Sequence, residues 1–293
     1  MLLDLVLGYE CNLGCDHCTI TSSMRRRNMS TSQARAAIAR GGARGMKRLQ
    51  LGGGEPTIRR DLAALCAFAR ARGFRDVKVQ TNGLMLAVEG YLPSLMRAGL
   101  GRLSISVHAH ERDRYERLTR VPGSFAHLER GLAAAVASGL PVEAELIAKE
   151  DTFRHLPAAA RWLAERGVRA VRLWLVSLSD GNAAHPESLP RMSELAPIFR
   201  AVFDEARADG RSAVSLHLPR CLLAGYEEHA VDPAAGGVLC VTPDAEFTLE
   251  ASRLGGHVKP PSCRLCVHDA SCAGVREDYA ARHGTDELVP VEA

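Results

Sequence analysis

The 293-residue sequence predicts an α/β fold in which a parallel sheet is covered by helices, followed by a small cysteine-bearing C-terminal segment. Two patterns lead there. Near-continuous Val, Ile and Leu runs alternate with amphipathic helical stretches, and that alternation stops after about residue 210. The strand candidates are 2–7 (LLDLVL), 48–51, 77–80, 102–107, 142–147 and 170–177. Between them the 3.6-residue period predicts helices over about 31–43, 61–72, 90–98, 124–138 and 153–166, with a sixth over 192–209. Ser30 and Thr31, Asp61 and Ser124 are candidate N-caps, and glycines at 73, 99, 139 and 167 are candidate helix terminators. Six βα units of this kind fit an open doubly wound sheet or a full or partial barrel. Residues 213–293 carry only short strand candidates, turn-rich stretches and five of the nine cysteines. So little apolar surface is expected to need a metal site to hold it together.

Composition narrows the function classes. The charged fraction is 24% and the net charge +3, with arginines spread along helices, so no nucleic-acid partner is expected. No apolar run is long enough to span a bilayer and no secretory signal precedes strand one, so a cytoplasmic, membrane-free protein is expected. In that compartment a disulfide framework is not, and the cysteines at 11/15/18 and 263/266/272 read as metal or cluster ligands.

The first set, YECNLGCDHCTI, places Cys11, Cys15 and Cys18 at C-x3-C-x2-C spacing just after strand one, where parallel α/β folds gather their ligands. Three thiolates on a four-iron cube leave one iron open, whereas a zinc site would need a fourth donor such as His17. Directly after strand two comes LGGGEP, whose Gly53 and Gly54 let backbone approach a ligand closely and whose Glu55 adds a carboxylate. It lacks the lysine and hydroxyl of a phosphate loop.

Together these motifs resemble the radical S-adenosylmethionine superfamily over roughly residues 1–215. The resemblance implies a partial (β/α)6 TIM-like barrel at 1–212 and a twitch/SPASM-like auxiliary cluster domain at 213–293. Cys11, Cys15 and Cys18 would hold a [4Fe-4S] cluster whose open iron binds S-adenosylmethionine. Gly53, Gly54 and Glu55 would receive its methionyl amino group, His17 would stack near adenine, and Asn82, Ser106 and Val176, with Gln80, Thr81, Ser104 and Leu175, would face the same mouth. In the C-terminal segment Cys263, Cys266 and Cys272 would hold an auxiliary [4Fe-4S] cluster with Cys221 as fourth ligand. Cys240 could replace Cys221, donate a hydrogen atom to a substrate radical, or be a buried strand residue; Cys66 reads as core. Glu143 and Glu145 share one face of strand five and could grip a substrate amine, and the segment from His108 through His110, Glu111 and Arg120 reads as a long charged loop.

The implied reaction is hydrogen abstraction from an unactivated C–H of a natural-product precursor, a ribosomal peptide first, ending in oxidation, crosslinking or epimerisation. An amino-sugar-like small molecule is the alternative substrate, and a non-catalytic zinc-binding module the alternative of another class. A reductant such as flavodoxin or ferredoxin is implied. Since strand one begins at residue 2, recognition of a leader peptide is expected to need a separate protein or another docking surface.

Overall fold

The computed structural model describes residues 1–251 and 256–292. In chain order the main elements are β1 (Leu2–Val6), α1 (Thr31–Ala43), β2 (Arg48–Gly52), α2 (Leu62–Ala71), β3 (Asp76–Thr81), α3 (Tyr91–Arg97), β4 (Arg102–Ser106), α4 (Arg112–Thr119) and α5 (Ser124–Ala137). They continue with β5 (Val142–Ala148), α6 (Leu156–Glu165), β6 (Ala170–Leu175), α7 (Met192–Ala208), β7 (Ser212–Ser215), β8 (Val238–Val241), β9 (Glu246–Thr248), β10 (His257–Val258), β11 (Val275–Arg276) and α8 (Glu277–His283).

One sheet runs in the order β7-β6-β5-β4-β3-β2-β1-β8-β9. Strands β1 to β7 are neighbours in sequence order and parallel, β8 adds parallel to β1, and β9 returns antiparallel at the edge. Period two then divides the side chains. Leu3, Leu5, Leu49, Leu51, Val77, Val79, Leu103, Ile105, Ala144, Leu146, Val171 and Leu173 are almost completely buried and form the core against the helices. The alternate residues Asp4, Gln50, Lys78, Gln80, Ser104, Glu143, Glu145, Arg172 and Trp174 line the other face. Lys78 Nζ of β3 donates to Glu143 Oε1 of β5 at 2.9 Å, and Gln80 Nε2 to Glu145 Oε2 at 2.6 Å. Strands two apart lie about 9.5 Å from each other, so such side chains meet readily only on the concave side of a strongly curved sheet. That concave face is the lumen of the partial barrel, and it is polar.

Several sequence-based expectations change in detail. The segment after β4 is not a loop throughout: α4 forms because Tyr115 and Leu118, three residues apart among charged neighbours, bury one face. Ser30 caps α1 with a full capping box, its side chain accepting from Gln33 N. Asp61 does not cap α2; it instead takes both arms of Arg59, at 2.9 and 2.8 Å. Ser124 is the first residue of α5, after Gly123 at the cap. Helix α6 begins at Leu156, preceded by a 3-10 turn, because Pro157 is accommodated in the first turn. The 212/213 border falls inside β7, and β8 is a strand of the main sheet, so the C-terminal segment is woven into the barrel at both edges.

Candidate active site at the mouth of the barrel

The cysteine loop is tied down from three sides. Beyond β1, Leu7 N donates to Gly52 O at 2.9 Å, and Asn28 Oδ1 accepts from both Tyr9 N and Glu10 N. On the second side, Gly54 N donates to Gly8 O and Glu55 N to Glu10 O, each at 2.8 Å. The third side is the C-terminus of α4, whose otherwise orphaned carbonyls of Thr119 and Leu118 accept from Gly14 N at 2.9 Å and Asp16 N at 3.0 Å. Arg25 Nη1 reaches Cys11 O at 3.2 Å.

Burial, reinforced by the neighbouring Cys18 and Cys11, pushes the Cys15 thiol up to about 12, and burial raises Cys11 as well. Buried thiols whose charges would repel one another resist ionising without a cation among them, which is the donor chemistry a cationic cluster would satisfy. His17 is buried and meets His108 edge to face, with ring centroids 4.3 Å apart. Donor atoms of Cys15, His17 and His108 lie within 4.8 Å of one another. Asp16 accepts from Lys149 Nζ at 3.1 Å and faces His17 Nδ1 at 3.3 Å. Burial opposes its charge, but these two hydrogen bonds win and hold its carboxyl at about 2.

The glycine-rich loop has no conformational slack. A Cβ on Gly54 would sit 2.1 Å from Glu10 O, and Gly53 has φ +123° with Gly8 O 2.3 Å from its Cβ position. Both glycines are therefore required by the close approach of β1 and β2 beyond their ends. The Glu55 carboxylate is buried. It accepts from Thr57 N at 2.9 Å, Thr81 Oγ1 at 2.7 Å and Asn82 N at 2.6 Å, anchoring the loop to the end of β3. Asn82 bridges back to the cysteine loop, donating from Nδ2 to Asn12 Oδ1 at 2.8 Å. Ser106 ends β4 on the lumen side, half-buried, in register with Glu145. Leu175 and Val176 are buried at the end of β6, but their carbonyls accept from Arg276 Nη1 at 2.9 Å and Nη2 at 2.6 Å. Their backbone acceptors are thus committed to Arg276.

Glu143 and Glu145 both lie in the lumen, each already occupied. Glu143 Oε1 accepts from Lys78 and, at 3.3 Å, from Arg172 Nη1; Glu145 accepts from Gln80 and from Ser104 Oγ at 2.7 Å. Asp4 accepts from Gln50 Nε2 at 3.1 Å, and burial pushes its carboxyl up to about 6.

In the C-terminal segment, Cys221, Cys263, Cys266 and Cys272 line one cavity, together with Lys259, His268 and Val289. Burial, then Cys272, Cys263 and Cys266, push Cys221 up to about 11. Cys240 lies elsewhere, in β8 opposite Asp4 of β1, buried and pushed up to about 12 by burial and by Asp4. Cys66 is in the core, as expected. The sequence reading missed Asp4, Arg172, Trp174 and the Arg276–Asp278 pair. Asp4 carried a visible signal, an isolated charge on the opposite face from Leu3 and Leu5; Arg276 carried none, because the Leu175 and Val176 carbonyls it holds are about a hundred residues away.

A parallel barrel with a three-cysteine loop above a polar lumen defines a class of cluster-bearing α/β enzymes. The Radical SAM superfamily model matches residues 5–173, more than half of the sequence, and the chain belongs to that superfamily. Its characteristic cofactors are S-adenosylmethionine and the [4Fe-4S] cluster that binds it. Among relatives, a probable GTP 3',8-cyclase of Methanopyrus kandleri is 31% identical over 200 residues, 66% of this chain and 63% of that protein. The GTP 3',8-cyclase of Stenotrophomonas maltophilia R551-3 is 36% identical over 146 residues, 47% of this chain and 43% of that protein. The chain thus spans less than two thirds of either relative. Among solved structures, Streptococcus suis SuiB bound to precursor peptide SuiA superposes with a TM-score of 0.70 at 12% identity, over 99% of this chain and 74% of that one. AnSMEcpe with bound AdoMet and Cp18Cys peptide gives 0.69 at 14%, over 99% and 92%. These two likenesses are of fold. Among the described residues no helix is long and apolar enough to cross a membrane.

Proposed function

We propose that this chain is a radical S-adenosylmethionine enzyme that abstracts a hydrogen atom from an unactivated C–H of a natural-product precursor held in the lumen, with a ribosomal peptide the leading substrate. The observation that carries the reading is the position of the three-cysteine loop, clamped by the glycine-rich loop and α4 directly over a polar lumen. Cys11, Cys15 and Cys18 are the cluster ligands, and the carbonyls of Gly53 and Gly54 would receive the amino group of S-adenosylmethionine, the N–H groups of Gly54 and Glu55 being taken by the Gly8 and Glu10 carbonyls. The cluster with bound S-adenosylmethionine supplies, on one-electron reduction, methionine and the 5'-deoxyadenosyl radical that abstracts hydrogen. His17 and His108 pack beside that site, while Asn82 and Glu55 keep the loops in place. Cys221, Cys263, Cys266 and Cys272 hold the auxiliary cluster.

That grouping leaves Cys240 with its thiol, and its place beside Asp4 supports the hydrogen-donor role. Homolysis of its S–H returns a hydrogen atom to a substrate carbon radical, and the thiyl left behind takes one electron from a flavodoxin or ferredoxin and one proton. The net outcome is epimerisation. A non-catalytic zinc module fits less well: the donor set within 4.8 Å is Cys15, His17 and His108, and a four-coordinate zinc built on it leaves at least one of Cys11 and Cys18 without a role.

Anaerobic reconstitution with iron and sulfide, then S-adenosylmethionine and dithionite, is expected to yield 5'-deoxyadenosine; a colourless zinc-binding chain that yields none overturns the reading. For Cys240, wild type in D2O is expected to place deuterium at the reacting carbon and Cys240→Ala to place none. Deuterium incorporation by the variant would remove Cys240 from the reaction. A second reading, cyclisation of GTP, is favoured by the identity to the two cyclases. Incubation with GTP and mass analysis for a cyclised isomer decides it.

A further inference from the structure

Two lumen-facing residues of β6 carry donors that no described residue uses. Arg172 Nε and Trp174 Nε1 are both buried and, among the described residues, without a hydrogen-bond partner. They stand two residues apart on the same face of the strand, the Arg172 guanidinium carbon 5.9 Å from the Trp174 ring centroid. Buried N–H groups are rarely left unpaired, so a pair side by side on a concave wall points to an acceptor that arrives from outside.

The surrounding charges say which acceptor. Lys78 and Arg172 converge on a single oxygen of Glu143, at 2.9 and 3.3 Å, and Arg172 keeps Nε free. Glu145, in register with Arg172, and Asp4 are joined through Gln50 and Gln80, whose Nε2 atoms donate in turn to Asp4 Oδ1, Gln80 Oε1 and Glu145 Oε2, so amides and Ser104 engage these two carboxyl groups. A guanidinium Nε and an indole N–H side by side, one of them on a cation, match the two acceptor atoms of a carboxylate. A neutral amide offers these two donors a single oxygen, and a triphosphate would bring several negative charges alongside the carboxyl groups of the lumen. Trp174 also packs edge-on against His217 at 5.3 Å, and His217 lines a cavity with Cys272. A group seated here lies on the side of the lumen that leads to the second cysteine set.

We propose that Arg172 and Trp174 form a carboxylate-recognising subsite, and that the substrate presents a single carboxylate to β6. This rests on the lumen being the substrate chamber, as the proposed function has it. The test uses the reconstituted full chain with Trp162→Phe, which leaves Trp174 as the sole tryptophan of the two in the sequence. N-acetylglycine is expected to change Trp174 fluorescence saturably, N-acetylglycinamide to bind at least tenfold more weakly, and GTP not to compete. Arg172→Gln is expected to weaken N-acetylglycine at least tenfold and Arg172→Lys by less, while circular dichroism stays unchanged. The inference is overturned if the amide binds as well as the acid, if GTP displaces the acid, or if Arg172→Gln binds like its parent. Calorimetry with Trp174→Phe gives an independent reading, since loss of one donor should weaken the acid and leave the amide where it was. Formation of 5'-deoxyadenosine without substrate separates the two levels of the argument. Its absence in wild type sinks the enzyme reading, whereas its presence beside indifferent acid binding sinks only the subsite.

Discussion

Asp4 shows how one lumen residue couples chemistry to stability. Its carboxyl is pushed from 3.8 to about 6 because burial outweighs the hydrogen bond from Gln50 and the attraction of Lys78. The folded state therefore binds the proton more tightly than the unfolded state. This contribution is fully present below the unfolded value and is lost as pH rises through about 6. Asp4→Asn keeps an oxygen for Gln50 and removes the buried charge. It is expected to raise stability at pH 7 by about 2 to 3 kcal/mol and to make almost no difference below about pH 4, which urea midpoints at the two pH values would check. Glu55 belongs to the same scale but has the opposite sensitivity to substitution. Its oxygens answer several donors at once, so Glu55→Gln replaces one acceptor with an NH2 that faces another donor and is expected to cost about 1 to 3 kcal/mol in the same measurement. The cysteines were legible because spacing alone identifies a ligand set. The partners of Asp4, Glu143 and Glu145 were not, because side chains on strands two apart meet only through a curvature that no local pattern encodes.

At the scale of elements, the mouth of the barrel depends on two close contacts. Gly54 allows β2 to pass within hydrogen-bonding distance of the cysteine loop, and a methyl group there would collide with the backbone of Tyr9 and Glu10. Gly54→Ala is expected to cost roughly 2 to 4 kcal/mol and to weaken S-adenosylmethionine binding, read by thermal unfolding and by calorimetry. At the end of β6, Arg276 of β11 is clamped by Asp278 at 2.9 Å and holds the Leu175 and Val176 carbonyls, while Asp278 accepts from Leu178 N at 2.8 Å. Arg276→Met would leave two carbonyls without their donor and the Asp278 carboxylate without its cation. An expected loss of about 3 to 5 kcal/mol should appear as faster hydrogen exchange confined at first to 175–178 and the α8 segment. The strand and helix order of the first six units could be read from alternating periods, since each βα unit buries its own apolar face. Helix α4 was hidden because only Tyr115, Leu118 and Thr119 of its eight residues are buried. β8 was legible as a short strand but not as a neighbour of β1, since that pairing joins residues more than two hundred positions apart.

For the whole molecule, the decisive feature is that the C-terminal segment touches the barrel at both ends of the sheet. β7 extends it beyond β6, β8 extends it beyond β1, and β11 with α8 closes over the end of β6. The cavity lined by four cysteines sits within this wrapping, and Arg276 is only four residues beyond Cys272. If the four thiols hold a cluster, they cross-link Cys221, just after β7, to the segment that carries the Arg276 clamp. Replacing Cys221, Cys263, Cys266 and Cys272 together with serine is then expected to lower bound iron from about eight to about four per chain, while 5'-deoxyadenosine still forms. Hydrogen exchange should rise over 256–292 and at the Leu175–Leu178 turn, since the clamp loses its support. It should stay slow in β8, which is held by pairing with β1 rather than by the cysteines. Unchanged iron in the serine variant would place the second cluster elsewhere. Unchanged exchange at the β6 turn would mean that the clamp folds without the cysteines, and the two ends of the chain would then be coupled by packing alone.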